Sequence, residues 1–195
     1  GHWILARMGK KVLRPGGKDL TLKLMGSLCI TQQDDVVEFA PGLGFTASLA
    51  LKGKPKSYLG IDTDEDVVKL LHRKIKGHNI CFIQGNAANT NLPDESKDKV
   101  LGEAMLTMQA DHRKVEIIRE AHRILKRGGL YAIHELGLFP GDISEQKKAS
   151  IQRDLALSIK VNARPLTEHE WTELLEKEGF GIVNTEINPM CLLEP

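Results

Sequence analysis

The chain has 195 residues, enough for one domain with a real hydrophobic core. Hydrophobic residues make up 41% and charged residues 27%, ordinary values for a globular chain in water. Lys and Arg total 27 against 26 Asp and Glu, a net charge of +1, so the basic excess of a nucleic-acid binder is missing, and no apolar run reaches the about 18–20 residues that span a bilayer.

No signal-peptide pattern opens the chain, and a cytoplasmic protein is expected. Cys29, Cys81 and Cys191 lie far apart, with neither metal-ligand spacing nor a disulfide framework. They read as buried, inert thiols, and no metal site is expected.

Short apolar runs alternate with longer amphipathic stretches, the pattern of a parallel sheet covered by helices. The stretch Leu13-Arg14-Pro15-Gly16-Gly17 reads as an irregular loop. The first strand is Val36 to Phe39, followed by the glycine-rich turn Ala40-Pro41-Gly42-Leu43-Gly44 and a helix from about Phe45 to Leu51. The second strand runs from Ser57 to Ile61 and ends at Asp62. Its helix covers about Glu65 to Lys76, with acidic residues crowding the start, where the helix dipole favours them. A third strand spans Ile80 to Gln84, a polar loop Asn86 to Lys97, and a fourth strand about Lys99 to Ala104.

The next helix is expected over about Arg113 to Lys126, with Val115, Ile118, His122 and Leu125 on one face and Gly128 and Gly129 stopping it. The fifth strand is Leu130 to His134. Residues 144–160 form a further helix outside the strand–helix rhythm. Thr167 and Glu170 make a capping box for a helix to about Glu178, ended by Gly179, and a sixth strand fits Gly181 to Ile187. The expected fold is therefore α/β, a doubly wound and mostly parallel sheet with helices on both faces and its last strand missing. An unpaired sheet edge of this kind is a place where a homo-oligomer partner would sit.

The turn after the first strand carries the first chemical signal. Gly42-x-Gly44-x-x-Ala47 satisfies the dinucleotide fingerprint, and it equally suits a plain strand-to-helix turn. Glu38 shifts the balance, because a carboxylate there repels a pyrophosphate and attracts an ammonium or ribose hydroxyls. Asp62 ends the neighbouring strand, where a carboxylate accepts from both ribose hydroxyls. The structural alternatives are a lysine partner for Glu38 and a helix-capping role for Asp62.

Five blocks follow in order: Glu38-Phe39-Ala40-Pro41-Gly42-Leu43-Gly44; Gly60-Ile61-Asp62; Gly85-Asn86-Ala87 with Leu92-Pro93; Asp98-Lys99-Val100; and Glu120-Ala121-His122-Arg123-Ile124-Leu125-Lys126-Arg127-Gly128-Gly129. In these the chain resembles the class I S-adenosylmethionine-dependent methyltransferases, with their Rossmann-like fold, over roughly Leu13 to Phe180. The resemblance implies S-adenosylmethionine as cofactor and S-adenosylhomocysteine as product. It implies that Glu38, Ala40, Gly42 and Gly44 hold the methionine part, Asp62 the ribose, with Thr63 beside the adenosine, and Asn86 and Ala87 the adenine. Glu103 and Ala104 would lie near the cofactor's amino group and the methyl group, and Arg14 would meet the methionine carboxylate unless it is simply solvated. It also implies a single domain over 1–195, with a cofactor-covering segment over about 1–30 and an acceptor or lid insertion over about 137–166.

Two positions depart from the family pattern. Ala40 stands where Gly is frequent, and its Cβ disfavours positive φ. Asn86 stands where Asp is usual, so the adenine anchor loses a charge.

On the acceptor side, Glu103, His134 and Glu135 are the candidate bases, and Glu103 and His134 are the expected catalytic pair. A hydrogen-bonded structural histidine is the alternative for His134. Gln109, His112 and Arg164 are candidate acceptor contacts, and Met105, Leu106 and Met108 either line an apolar acceptor pocket or pack the core. The expected partner is a small-molecule acceptor, with no nucleic acid. The competing functions are a non-catalytic cofactor-binding module and a nicotinamide-dependent oxidoreductase.

Overall fold

The computed structural model describes residues 17–159 and 162–189. Five strands form one parallel sheet: β1 (Asp35–Phe39), β2 (Ser57–Asp62), β3 (Ile80–Gln84), β4 (Lys97–Glu103) and β5 (Leu125–His134), in the order β3-β2-β1-β4-β5. Helix α1 (Gly17–Leu28) precedes β1, α2 (Phe45–Ala50) follows it, α3 (Glu65–Lys74) joins β2 to β3, and α4 (Asp111–Ile124) joins β4 to β5. This is the doubly wound architecture expected from the alternation, and the strand order reverses between β1 and β4.

Beyond β5 the chain leaves the sheet. Strand β6 (Gly137–Leu138) pairs in parallel with β7 (Leu166–Thr167), and helix α5 (Glu145–Ile159) lies between them. The excursion is thus closed at its base by a two-residue ladder. Helix α6 (Glu168–Lys177) then begins at the capping box expected from Thr167 and Glu170, with both reciprocal hydrogen bonds formed. Gly179, at φ 94°, turns the chain out of it.

The core has two layers because β1 is covered on both faces. Val37, Phe39, Val100, Ile117, Ile118, Ala121, Ile124 and Trp171 pack on one face; Leu28, Val36, Ala47, Tyr58, Leu71 and Leu101 pack on the other. Alternation along β1 sends neighbours to opposite layers.

Several local expectations are corrected. Helix α4 ends at Ile124, and Leu125 is already extended (φ −75°, ψ 134°), so Gly128 does not stop the helix. Gly128, at φ 78°, instead lies within an irregularity of β5, where the register against β4 jumps from Lys97↔Leu125 to Lys99↔Leu130. The buried positions of α4 are Lys114, Ile117, Ile118, Glu120, Ala121 and Ile124; of the face assigned by spacing, Ile118 and Leu125 are buried, Val115 is half-buried and His122 is exposed.

Residues 181–187 form no strand: they make no ladder, and Val183 is 84% and Ile187 68% exposed. Their apolar residues meet no neighbouring strand, and side chains tie the segment to α1 instead, through Lys23–Glu186 (2.9 Å) and Asn184–Ser27 (3.4 Å). Cys29 and Cys81 are exposed, not buried. Cys29 follows the end of α1, and Cys81 points outward from edge strand β3 while Phe82 points in. Cys191 lies outside the described residues.

Candidate functional site

The carboxyl ends of β1, β2, β4 and β5 converge at one edge of the sheet, around the reversal point. Ala40 takes φ 52°, Gly42 φ 52° and Gly44 φ 78°, so the turn after β1 runs through the left-handed region three times. Gly44 is required by packing, since a Cβ there would stand 2.5 Å from Leu71 Cδ2. Gly42 differs: a Cβ there would meet only Ala40 O at 3.9 Å, so its backbone faces open space. Ala40 adopts the left-handed conformation despite its Cβ, and its N–H donates to Ile61 O at 2.8 Å. The expectation that Ala would avoid positive φ is therefore overturned: the strand pairing and turn on either side hold it there.

Asp62 lies across this turn. Its Oδ2 accepts from Gly42 N–H at 3.4 Å and its Oδ1 from Asp64 N–H at 3.0 Å. Asp64, not Asp62, caps α3, accepting from Asp66 and Val67 N–H. The capping alternative for Asp62 is thereby removed, and its carboxylate is half-buried at the crevice between β1 and β2. Thr63 beside it is exposed, and its carbonyl accepts from Gln84 Nε2 at 3.1 Å. Asn86 follows β3; its Oδ1 accepts from Ala88 N–H at 3.0 Å, which leaves the second lone pair of that oxygen for another donor. Ala87 is buried.

Beneath the turn lies a buried polar cluster. Glu38 is 2% exposed and accepts from the Tyr58 hydroxyl. Burial and the adjacent Glu38 carboxylate push the Tyr58 phenol well above its ordinary range. Glu103, at the end of β4, accepts from Thr21 Oγ1 at 2.7 Å and from the Thr46 hydroxyl, and its Oε1 stands 2.8 Å from His134 Nδ1. Thr21, Thr46 and His134 are all buried. The register of β4 on β5 sets Glu103 opposite His134, so the two expected catalytic residues are direct partners. Three carboxylates, those of Glu38, Asp62 and Glu103, therefore converge on one end of the sheet, with Tyr58 among the partners of Glu38 and Thr21, Thr46 and His134 among those of Glu103.

Glu135 is no free base. Its Oε1 accepts from Met105 and Leu106 N–H (3.0 and 2.8 Å), and its Oε2 from Thr107 N–H and Thr107 Oγ1 (2.9 and 2.7 Å). Burial pushes its carboxyl up, and these four donors act against that by favouring the ionised form. Met105 and Leu106 are buried core residues. The Gln109 side chain donates to Met105 O at 3.3 Å. His112 is exposed, and Arg164 pairs with Asp111 at 3.1 Å. Arg14 lies outside the described residues. Sequence reasoning missed Thr21, Thr46 and Tyr58; lone threonines and a strand tyrosine carry no motif, and only packing brings them to the carboxylates.

The comparisons with known proteins agree with this fold. Residues 37–133 match the family model described as a methyltransferase domain. An uncharacterized protein of Haemophilus influenzae is 34% identical over 100% of this chain and 77% of its own length. The uncharacterized methyltransferase YdaC of Bacillus subtilis is 31% identical over 70% of this chain and 74% of its own. The crystal structure of an S-adenosylmethionine-dependent methyltransferase from Mesorhizobium loti superposes with a TM-score of 0.72 at 17% identity, covering 86% of this chain and 84% of that one. Among the described residues, no helix is long and apolar enough to cross a membrane. With its strand order, its glycine turn and these relatives, the chain belongs to the class I S-adenosylmethionine-dependent methyltransferases.

Proposed function

We propose that this methyltransferase acts on a small-molecule acceptor, bound between the loop after β4 and the excursion over 137–166. The observation that carries the donor side is Asp62, whose carboxylate meets the open backbone of Gly42 at the crevice between β1 and β2. The donor set fits S-adenosylmethionine: a half-buried carboxylate for ribose hydroxyls, an open glycine backbone, and acidic neighbours for a cationic amino acid. That cofactor supplies a methyl group on a sulfonium, ready for in-line displacement.

In this reading Asp62 accepts from the ribose hydroxyls, with Thr63 at the adenosine. Asn86 and the Ala87 backbone take the adenine. Ala40, Gly42 and Gly44 shape the cradle for the methionine part, and Glu38, braced by Tyr58, supplies negative charge beneath it. Arg14 meets the carboxylate from the N-terminal side. Glu103 and Ala104 end β4 beside the reacting centre, and His134 with Glu103 forms the pair that holds a proton there. The covering segment over 1–30 and the excursion over 137–166 enclose the two ligands within one domain, and alignment of donor and acceptor supplies the main rate gain.

The test is calorimetry with S-adenosylhomocysteine. Wild type should bind, and Asp62→Ala should weaken binding by roughly 10–100-fold, the worth of about 1.5–3 kcal/mol of charge-assisted hydrogen bonding. An unchanged affinity removes Asp62 from the cofactor site. Methyl-labelled S-adenosylmethionine incubated with a low-molecular-mass cell extract then tests the acceptor class; label that reaches only macromolecules overturns it, and binding without any transfer favours a non-catalytic module.

A further inference from the structure

We infer that Glu135 is a positioning residue for methyl transfer: its carboxylate builds the acceptor-facing wall of the site and leaves the cofactor side alone. The inference rests on the proposed acceptor position, between the loop after β4 and the 137–166 excursion.

The geometry is that of a backbone nest filled by a side chain. Three consecutive amides, those of Met105, Leu106 and Thr107, point at one carboxylate, at 2.8–3.0 Å. Successive N–H groups on one side of a loop make an anion-binding concavity. Glu135 fills it from the next strand, one residue beyond His134. The chain enters this loop through Ala104, in the left-handed conformation at φ 51°, whose N–H donates to His134 O at 2.8 Å. The bend out of β4 is thus set by residues 134 and 135 together.

Thr107 makes the node three-way. Its hydroxyl donates to Glu135 Oε2 and accepts from Leu136 N–H at 3.2 Å. Its carbonyl accepts from Arg164 N–H at 2.7 Å. The three segments that wall the acceptor side are the loop after β4, the exit of β5 and the return from α5. They meet at this residue, which is 1% exposed. Leu136 O in turn accepts from Trp171 Nε1 at 3.0 Å, which anchors the node to α6. By contrast, Gly42, Asp62 and Asn86 belong to other loops and share none of these hydrogen bonds. One charge therefore orders the acceptor wall without a hydrogen bond to Gly42, Asp62 or Asn86.

Glu135→Gln replaces one acceptor oxygen with an NH₂ that faces N–H donors. Thr107→Val removes only the hydroxyl and keeps the fold's amides; Thr107→Ser restores the hydroxyl. Three measurements are made on each: hydrogen exchange at Met105–Thr107, affinity for S-adenosylhomocysteine, and label transfer from methyl-labelled S-adenosylmethionine to a low-molecular-mass cell extract. We expect Glu135→Gln and Thr107→Val to speed exchange at these amides at least tenfold and cut transfer at least tenfold. Cofactor-product affinity should stay within threefold, and Thr107→Ser should behave as wild type. The proposal is overturned by unchanged exchange, or by affinity that falls in step with transfer. If Glu135→Gln does not fold, Thr107→Val decides. A wild type that binds S-adenosylhomocysteine but labels no small molecule sinks the acceptor assignment; exchange and affinity then still decide whether Glu135 orders this wall apart from the cofactor side.

Discussion

The Thr21 hydroxyl donates to Glu103 Oε1 across 2.7 Å, and 82 residues separate the two. This bond ties α1, which precedes the sheet, to the carboxyl end of β4. Thr21 is fully buried, so deleting its hydroxyl leaves the Glu103 carboxylate one donor short away from bulk water. Thr21→Val keeps the shape and deletes the donor. It should cost about 1–2 kcal/mol, a fall in melting temperature of roughly 2–8 °C for a domain this size. Exchange within 17–28 should rise, and Thr21→Ser should restore wild-type behaviour. An unaltered melting curve for the valine variant shows that the bond contributes nothing net.

Ala40 at φ 52° makes a second, signed prediction. A left-handed alanine costs about 1–2 kcal/mol, and glycine removes that cost while gaining freedom in the unfolded chain worth about 0.4–1 kcal/mol. Ala40→Gly should therefore be as stable as wild type or up to about 1.6 kcal/mol more stable. Ala40→Val, with a branched Cβ in the same conformation, should lose at least about 2 kcal/mol. Thermal unfolding of the three proteins gives the order Gly, Ala, Val; any order with Val ahead of Gly refutes the strain argument.

The third prediction concerns acid stability. Arg123, together with the Thr90 hydroxyl and N–H, holds the Glu120 carboxyl down to about 2 from 4.5. Because the folded value is depressed, the stabilisation is present above about pH 4.5 and is lost as pH falls towards 2. Arg123 is 34% exposed, so screening reduces the effect to on the order of 2 kcal/mol. Urea unfolding at pH 7 and pH 3 should show Glu120→Gln losing less stability than wild type over that interval. Equal losses would remove Glu120 as the titrating group.

The strand–helix alternation was legible because each element's burial pattern is written in its own residues. Strands β2 and β3 and the capping box at Thr167 needed nothing from elsewhere in the chain. The glycine turn and the place of Asp62 were legible for a related reason: a strand end followed by a tight turn is written in a few consecutive residues. Local reading failed where a partner decides the outcome. Residues 181–187 have strand composition but meet no ladder. Gly128 looked like a helix stop, although the pairing of β5 with β4 fixes its place. The exposure of Cys81 follows from the outward parity of an edge strand.

The sequence by itself determined the architecture and the family, since short-range propensity and motif spacing dictate them. Only the tertiary structure decided what the carboxylates do. It joined Glu103 to Thr21, Thr46 and His134, braced Glu38 on Tyr58, and spent Glu135 on three backbone amides. A buried carboxylate takes whichever donors folding brings within about 3 Å. Residues tens of positions away supply those donors, so no local pattern foretells them.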